Sequence, residues 1–373
     1  MRKINYNILV PILLLSIISI ISIYSALTYT SKSLGNLALK QGVWYLVGWV
    51  IVIIIYHYKN EFLYQKSWLF YWFGNICLLL LLFFGTPINN SRCWFSIPGI
   101  GTIQPSEFMK IFLMLVLATM IHNFRSDYKS PTNKDEFLFI IKTFGVVLLP
   151  SILTFLQPDT GAVLIYFIIY FAMMFASGLR FRWFLIFGVL VSLVIGSVFY
   201  LYFFKEKMFI SIFGTSLYYR FDRIFNWHQG SGLQLENALA AIGSAGATGH
   251  GFNKTPIYFP ESSTDFIFAV FASNFGFIGV CILIGIIIYL DIQILRLSKK
   301  RKEDTDRFIV AGIIGMLLFQ QIQNIGMTIG LFPITGITLP FVSYGGSSLL
   351  SYMLIVGILL NISIQKKTTY WHR

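Results

Sequence analysis

The sequence predicts an all-α polytopic membrane protein with about ten transmembrane helices, and three observations predict it. Of 373 residues, 56% are hydrophobic and 12% charged, about half the charged share of an ordinary soluble domain. The apolar residues, 37 phenylalanines among them, are gathered into runs near the ~20 residues that a helix needs to cross hydrocarbon. The basic residues stand between those runs rather than on one face. A chain this apolar is expected to form one helical bundle over residues 1–373.

The first run, 7–28, is longer than the apolar core of a cleaved signal peptide and reads as a signal anchor. Further runs follow at 43–56, 67–84, 108–121, 137–155, 161–176, 183–204, 266–290, 308–329 and 347–364. Several are shorter than a full span and must extend into their less apolar flanks.

Loop charges set the expected orientation. With the N-terminus inside, the cytoplasmic segments hold Arg2, Lys3, Lys59, Lys66, Arg125, Lys129, Lys134, Arg180, Arg182 and the cluster Lys299-Lys300-Arg301-Lys302. An even number of spans also puts Lys366, Lys367 and Arg373 inside. Fewer cations fall outside: Lys32, Lys40, Arg92, Lys205, Lys207, Arg220, Arg223 and Lys254. Cytoplasmic loops facing anionic lipid therefore account for the net charge of +13, and no nucleic-acid partner is expected. The outer loops are then about 86–104, 205–265 (between the seventh and eighth spans) and 333–346. Phe213, Leu217, Tyr218, Tyr219 and Trp227 in the long loop suit a segment that packs on the bundle or dips into the interface.

Two of the cysteines, Cys77 and Cys281, lie in apolar runs, Cys93 lies in a loop, and none has metal or disulfide spacing. His57, His122, His228, His250 and His372 form no metal-like pattern either. The glycines of 243–251 follow no strand, which argues against a nucleotide loop, though their amides are able to hold a lipid pyrophosphate.

Polar groups at membrane depth cost about 2.5–3.5 kcal/mol on insertion scales and call for a reason. In Gln104-Pro105-Ser106-Glu107-Phe108-Met109-Lys110, proline suits the first helical position, and Glu107 and Lys110 share a face at i and i+3. They read either as a structural ion pair or as a functional one. In Gln157-Pro158-Asp159-Thr160-Gly161, Asp159 is placed to cap the next helix. Asp265 stands where the long outer loop enters an apolar run, as another cap or as a carboxylate whose pKa burial raises, fit to act as a base. The prolines and glycines of 333–346 cannot continue a helix, and irregular backbone there lines a wet cavity or makes an ordinary turn.

Taken in order, these segments resemble the SEDS family of RodA, FtsW and SpoVE. The resemblance rests on Trp94 with Gln104-Pro-Ser-Glu107-x-x-Lys110, on Gln157-Pro-Asp159 and on Ala241-Ile-Gly-Ser244. It continues through Thr264-Asp-Phe-Ile-Phe-Ala-Val270, Asn324-Ile-Gly-Met327 and Leu339-Pro-Phe-Val-Ser-Tyr-Gly-Gly-Ser-Ser348, nearly the whole chain. It implies a ten-helix peptidoglycan glycosyltransferase of the bacterial cytoplasmic membrane. Such an enzyme polymerises lipid II at the outer face beside a class B penicillin-binding protein and the elongation or division complex. The family's critical aspartate falls on Asp265, and its helix-start carboxylate and lysine on Glu107 and Lys110. The expected substrate contacts are Glu107, Lys110, Arg92, Trp94, Gln104, Asp159, Arg220, Arg223, Gln234, Thr335 and Ser343. Positive charge for the departing pyrophosphate is expected from these cations or from a divalent ion, Mg2+ or Mn2+.

The chain departs from the family pattern at Ser273 and Asn274, where a carboxylate pair is usual, at Cys93 before Trp94, and at Ser263 in place of a frequent histidine. Asn324-Ile-Gly-Met327 and the short tails lean toward RodA. Two rival functions remain open on the sequence. One is a flippase for lipid II, which needs polar groups along the whole path. The other is a non-catalytic scaffold that recruits the transpeptidase.

Overall fold

The computed structural model describes residues 5–26, 37–88, 91–97, 101–225, 232–300 and 304–364. Thirteen helices are described, with one small sheet. Helices α1 (Tyr6–Ala26), α2 (Leu37–Tyr58), the short α3 (Asn60–Gln65) and α4 (Ser67–Phe84) lead to strands β1 (Thr86–Ile88), β2 (Ser91–Ile97) and β3 (Gly101–Ile103). Then come α5 (Pro105–Asp127), α6 (Asn133–Leu156), α7 (Thr160–Ala176), α8 (Phe181–Phe204), α9 (Glu206–Phe225) and α10 (Gly232–Gly243). The chain closes with α11 (Ile267–Lys300), α12 (Asp304–Thr328) and α13 (Gly346–Ile364).

Among the described residues, nine helices are long and apolar enough to cross a membrane. The tenth expected span, α7, has 17 residues and is apolar but shorter. Most helices run past their apolar cores, as a membrane span must: the run 43–56 is the centre of Leu37–Tyr58. The outer loop at 86–104, foreseen without regular structure, is an antiparallel sheet in the order β1-β2-β3, pairing Thr86 with Trp94 and Phe95 with Ile103. Trp94, Phe95 and Ile97 supply the aromatic and β-branched side chains that strands favour.

Helix α13 sits at the centre. It packs on α2 and α5, while α12 packs on α7 and α11 on α1. Close approach to α2 depends on Gly346, where a Cβ would come within 2.7 Å of the Trp44 ring. At the rim, α8 buries only Tyr202. It leans on its neighbours through rings, Phe187 on Phe171 at 4.9 Å and Trp183 stacked on Phe137 at 5.7 Å.

The long connection 205–265 is largely helical rather than a loop. Its α9 breaks at Gly214 (φ 80°) and returns Phe209, Tyr218 and Phe221 to Tyr202 of α8 with centroids 5.4–5.9 Å apart. Of the aromatic residues noticed in the sequence, Tyr218 makes this contact with α8, while Tyr219 is exposed. Trp227 lies outside the described residues.

Helix α11 is also broken, at Gly276 (φ 62°, ψ −165°). The cause is the glycine-rich segment 244–251, which crosses it there. A Cβ on Gly276 would stand 2.3 Å from the Gly249 nitrogen, and one on Gly249 2.3 Å from the Asn274 oxygen. Both glycines have positive φ, so no other residue fits without strain. The crossing chain takes up backbone groups freed by the break. His250 N donates to Ser273 O at 2.9 Å, Gly251 N to Asn274 O at 3.1 Å, and Phe277 N to Gly246 O at 3.0 Å. These glycines serve helix packing here, which their spacing alone did not show.

Candidate active site

One end of the bundle collects the motifs. Helices α5, α7, α11 and α13 begin there and α4, α6 and α12 end there, so four polar connections meet. Pro105 occupies the first position of α5, as its fixed φ favours, and Glu107 lies in the first turn. One turn on, Lys110 Nζ meets Glu107 Oε2 at 2.6 Å. The lysine is 1% exposed and the glutamate 13%, so the pair is nearly withdrawn from water. Lys110 Nζ also sits 5.6 Å from the ring centroid of Tyr352 on α13. The Tyr352 hydroxyl accepts from Gln320 Nε2 at 2.9 Å.

Asp159 heads α7, where its Oδ1 accepts from Ala162 N at 3.0 Å, the expected cap. Its Oδ2 accepts from Gln104 Nε2 at 2.9 Å and from Ser106 Oγ at 3.2 Å. Burial nevertheless holds this carboxyl above its ordinary pKa, against the pull of the Ala162 N–H. Gln104 N donates in turn to Ser347 Oγ at 2.9 Å, joining α5 to α13. The neighbouring Cys93 is buried and donates to Gln157 O at 2.9 Å; burial pushes its thiol up to about 12, which keeps it unreactive.

Asp265 stands two residues before α11, partly buried. The alternative reading of this residue as a helix cap is not realised. Its carboxylate has no hydrogen-bond or ion-pair partner among the described residues, and lies against Gly336, where a Cβ would be 3.6 Å from Oδ2. Burial first, and then the charge of Glu261, push its pKa up to about 7.

What fixes Asp265 is its backbone. Asn324 Nδ2 donates to Asp265 O and to Ile337 O, both at 2.8 Å. Ser343 Oγ donates to Thr264 O at 2.6 Å and accepts from Leu339 N at 2.8 Å, while Tyr344 N donates to Ser263 O at 2.9 Å. From the other side Ser19 Oγ donates to Val342 O at 2.7 Å, and Gln41 Nε2 donates to Ser343 O at 3.2 Å. The irregular segment 329–345 is therefore a braced wall rather than a slack turn. Its residues Thr335 to Ile337 separate the two carboxylates. Gly336 faces Asp265, while Thr335 O and the Ile337 side chain lie 3.2–3.3 Å from a Cβ built on Gly161, two residues beyond Asp159.

Not every expected contact joins the site as a free group. Thr335 Oγ1 accepts from Gln323 Nε2 at 3.1 Å, and Ser343 is committed to bracing. Gln234 donates to Pro260 O at 3.2 Å, so it tethers α10 to the approach to Asp265. Trp94 is half-buried in β2 and Arg92 exposed beside it. The side chains of Arg220 and Arg223 lie outside the described residues. No group of three or more His, Cys, Asp or Glu converges among the described residues.

Sequence reasoning missed several buried polar residues. Asn324 was read as part of a motif, not as the clamp on Asp265. Asp291, one residue past the end of its expected span, is buried within α11 and accepts from Gln321 Nε2 at 3.3 Å. Ser273 and Asn274, which replace the usual carboxylate pair, are built into the Gly276 crossing. Asn274 Nδ2 donates to Ser25 Oγ at 2.6 Å and its Oδ1 accepts from Thr255 Oγ1 at 3.1 Å.

Comparison with known proteins identifies the family and the fold. Residues 6–368 match the model of the cell cycle protein family of FtsW, RodA and SpoVE. A probable peptidoglycan glycosyltransferase FtsW of Lactococcus lactis is 31% identical over 97% of this chain and 93% of its own. The peptidoglycan glycosyltransferase MrdB of Helicobacter pylori is 33% identical over 89% and 84%, and the stage V sporulation protein E of Bacillus subtilis 33% over 77% and 77%. The crystal structure of Thermus thermophilus RodA superposes with a TM-score of 0.70 at 25% identity, over 98% of this chain and 99% of that one. A chain from a peptidoglycan synthase complex that couples polymerization and crosslinking shares the fold with a TM-score of 0.79 at 24% identity, over 96% and 97%. This protein belongs to the FtsW, RodA and SpoVE family.

Proposed function

We propose that the protein is a peptidoglycan glycosyltransferase of the bacterial cytoplasmic membrane that polymerises lipid II, with Asp265 as its general base. The observation that carries this reading is a carboxylate left without a partner among the described residues, its backbone clamped by Asn324 and its pKa raised to about 7. A base poised near the working pH is both deprotonated often enough and strong enough to matter.

The reaction is an inverting displacement. The C4 hydroxyl of an incoming lipid II attacks the anomeric carbon of the growing chain. The bond from that carbon to the undecaprenyl diphosphate breaks, and the diphosphate leaves with the electron pair. Asp265 takes the hydroxyl proton as the new glycosidic bond forms. Lys110, held by Glu107, and Arg92 supply positive charge toward the diphosphate, and the polyprenyl tails enter sideways from the bilayer. A divalent cation would neutralise the same diphosphate. Glu261, exposed near Asp265, is the carboxylate that would help hold it, with diphosphate and water oxygens completing the shell, so that Asp265 keeps its role as base.

The charge pattern supports a cytoplasmic N-terminus with Asp265 at the outer face. A penicillin-binding protein that cross-links the product is the fitting partner, in line with the peptidoglycan synthase complex whose chain shares this fold. The test is purified protein with labelled lipid II, wild type against Asp265→Ala. Glycan made by the wild type and lost in the variant supports polymerisation. No product from either, with the partner present, favours a flippase or a scaffold.

A further inference from the structure

The opposite end of the bundle carries a cavity. Its volume is about 510 Å³, and Arg125, Lys129, Glu136, Ser177, Gly178 and Arg180 line it where α5 and α7 end and α6 and α8 begin. Helix α5 has 23 residues, so this cavity stands roughly 30 Å from Glu107. The Arg125 Nε donates to Ser177 O, which aims the guanidinium across the α7–α8 turn. Gly178 makes room for it: φ is +76°, and a Cβ would lie 2.0 Å from Arg125 Nη2. Neither terminal nitrogen of Arg125 has a hydrogen-bond partner among the described residues.

Positive charge is concentrated around it. Arg180 and Arg182 both donate to Asn133 Oδ1, a neutral acceptor, and Arg180 Nη2 donates to Pro131 O at 2.7 Å. The one carboxylate in the lining is Glu136, buried, accepting from Trp183 Nε1 at 2.7 Å and 3.6 Å from Arg180 Nε. Asp135 is turned to its own helix, where it accepts from Thr132 N at 2.9 Å. Three cations line the cavity against one anion, and bidentate guanidinium groups suit phosphate.

The surroundings are those of a membrane interface. Phe175 and Phe181 beside it are 67% and 64% exposed, and Trp183 and Tyr128 match the aromatic belt at head-group level. Within about one turn of Arg180 an apolar groove of about 410 Å³ opens along α8, lined by Phe184, Leu185, Val189 and Leu193 and floored by Gly188 and Ser192. A charged pocket with an apolar groove starting about one turn away matches the two parts of one molecule, a phosphate and its acyl chain. We propose that this site binds an anionic phospholipid of the adjoining leaflet, phosphate among Arg125, Lys129 and Arg180 and one chain along α8. It is separate from the Asp265 site and does not rest on the activity proposed there.

The test is native mass spectrometry of the full chain released from detergent with phosphatidylglycerol or phosphatidylcholine. Phosphatidylglycerol is expected to be retained preferentially. Each basic residue near an anionic surface contributes about fivefold, so Arg125→Gln with Arg180→Gln should weaken retention on the order of tenfold or more. Lys254→Gln, exposed at the other end, should leave it unchanged. Gly188→Phe guards against misfolding of the arginine variant, because nothing lies within 4 Å of a Cβ there. It should fill the groove and lower retention with every charge in place. Equal retention of the two lipids, or wild-type retention by the arginine variant or by Gly188→Phe, overturns the proposal. Complete displacement by inorganic phosphate assigns the pocket to a soluble anion and overturns it too.

Discussion

Two connections at one end of the bundle each deliver an aspartate to the start of a helix, and they use it in opposite ways. Between α6 and α7, Asp159 accepts from Ala162 N, Gln104 Nε2 and Ser106 Oγ, so its lone pairs are spent on holding the starts of α5 and α7 together. Between α10 and α11, Asp265 is held by its carbonyl, through Asn324, while its carboxylate stays unpaired among the described residues. A satisfied carboxylate is structural. An unsatisfied one on a braced backbone is available to a substrate, and burial raises its pKa for want of compensating donors.

The largest effect that would break the comparison lies at Asp265. Asp265→Asn should lower polymerisation about 10²–10⁴-fold, the usual contribution of a general base. Wild-type activity should rise with pH through about 7 and then level off, as the carboxylate forms; an assay flat from pH 5 to 9 would contradict the assignment. Stability runs the other way. A carboxyl whose folded pKa exceeds its unfolded value adds stability below the unfolded pKa, near 4, and loses it as pH rises through about 7. Asp265→Asn should therefore melt higher than wild type at pH 8, with the gap closing toward pH 4.

Next comes the ion pair. Lys110→Met strands Glu107 in a nearly dry site and should cost about 3–5 kcal/mol, read as a fall in melting temperature. Glu107→Gln with Lys110→Met should recover most of that stability but not the polymerisation rate. Recovery of both would make the pair merely structural. Smaller still, Asp159→Ala should destabilise by about 1–2 kcal/mol through loss of the cap and its two side-chain donors, whereas Asp159→Asn keeps a good cap and should cost less. If instead Asp159→Asn matched Asp265→Asn in abolishing activity at unchanged stability, the contrast between the two loops would fail.

The sequence carried the long apolar spans, which are contiguous runs, and the Glu107–Lys110 pair and the Asp159 cap, which rest on a spacing of three residues. The Asp265 carbonyl clamp needed Asn324, 59 residues away, and the wall behind it needed Ser19 and Gln41 from the first two helices. Such contacts follow from which helices are neighbours, and periodicity does not state that. The helical content of 205–265 was hidden for a different reason. Its helices are polar or short, α9 being interrupted at Gly214 and α10 having 12 residues, so they lack the long apolar run by which spans announce themselves. Asp291 was missed because one charged residue ended the run that defined its span.

The break at Gly276 has a mechanical meaning. It cuts α11 into a short upper piece, 267–275, headed by Asp265, and a long lower one anchored in the bilayer. The segment 246–251 bonds to both sides of the cut, to Ser273 and Asn274 above it and to Phe277 and Ile278 below it, so it ties the two pieces together through the extramembrane chain. The glycine segment is thus a splint across the broken helix, and it holds the start of α11 in register with the long piece in the bilayer.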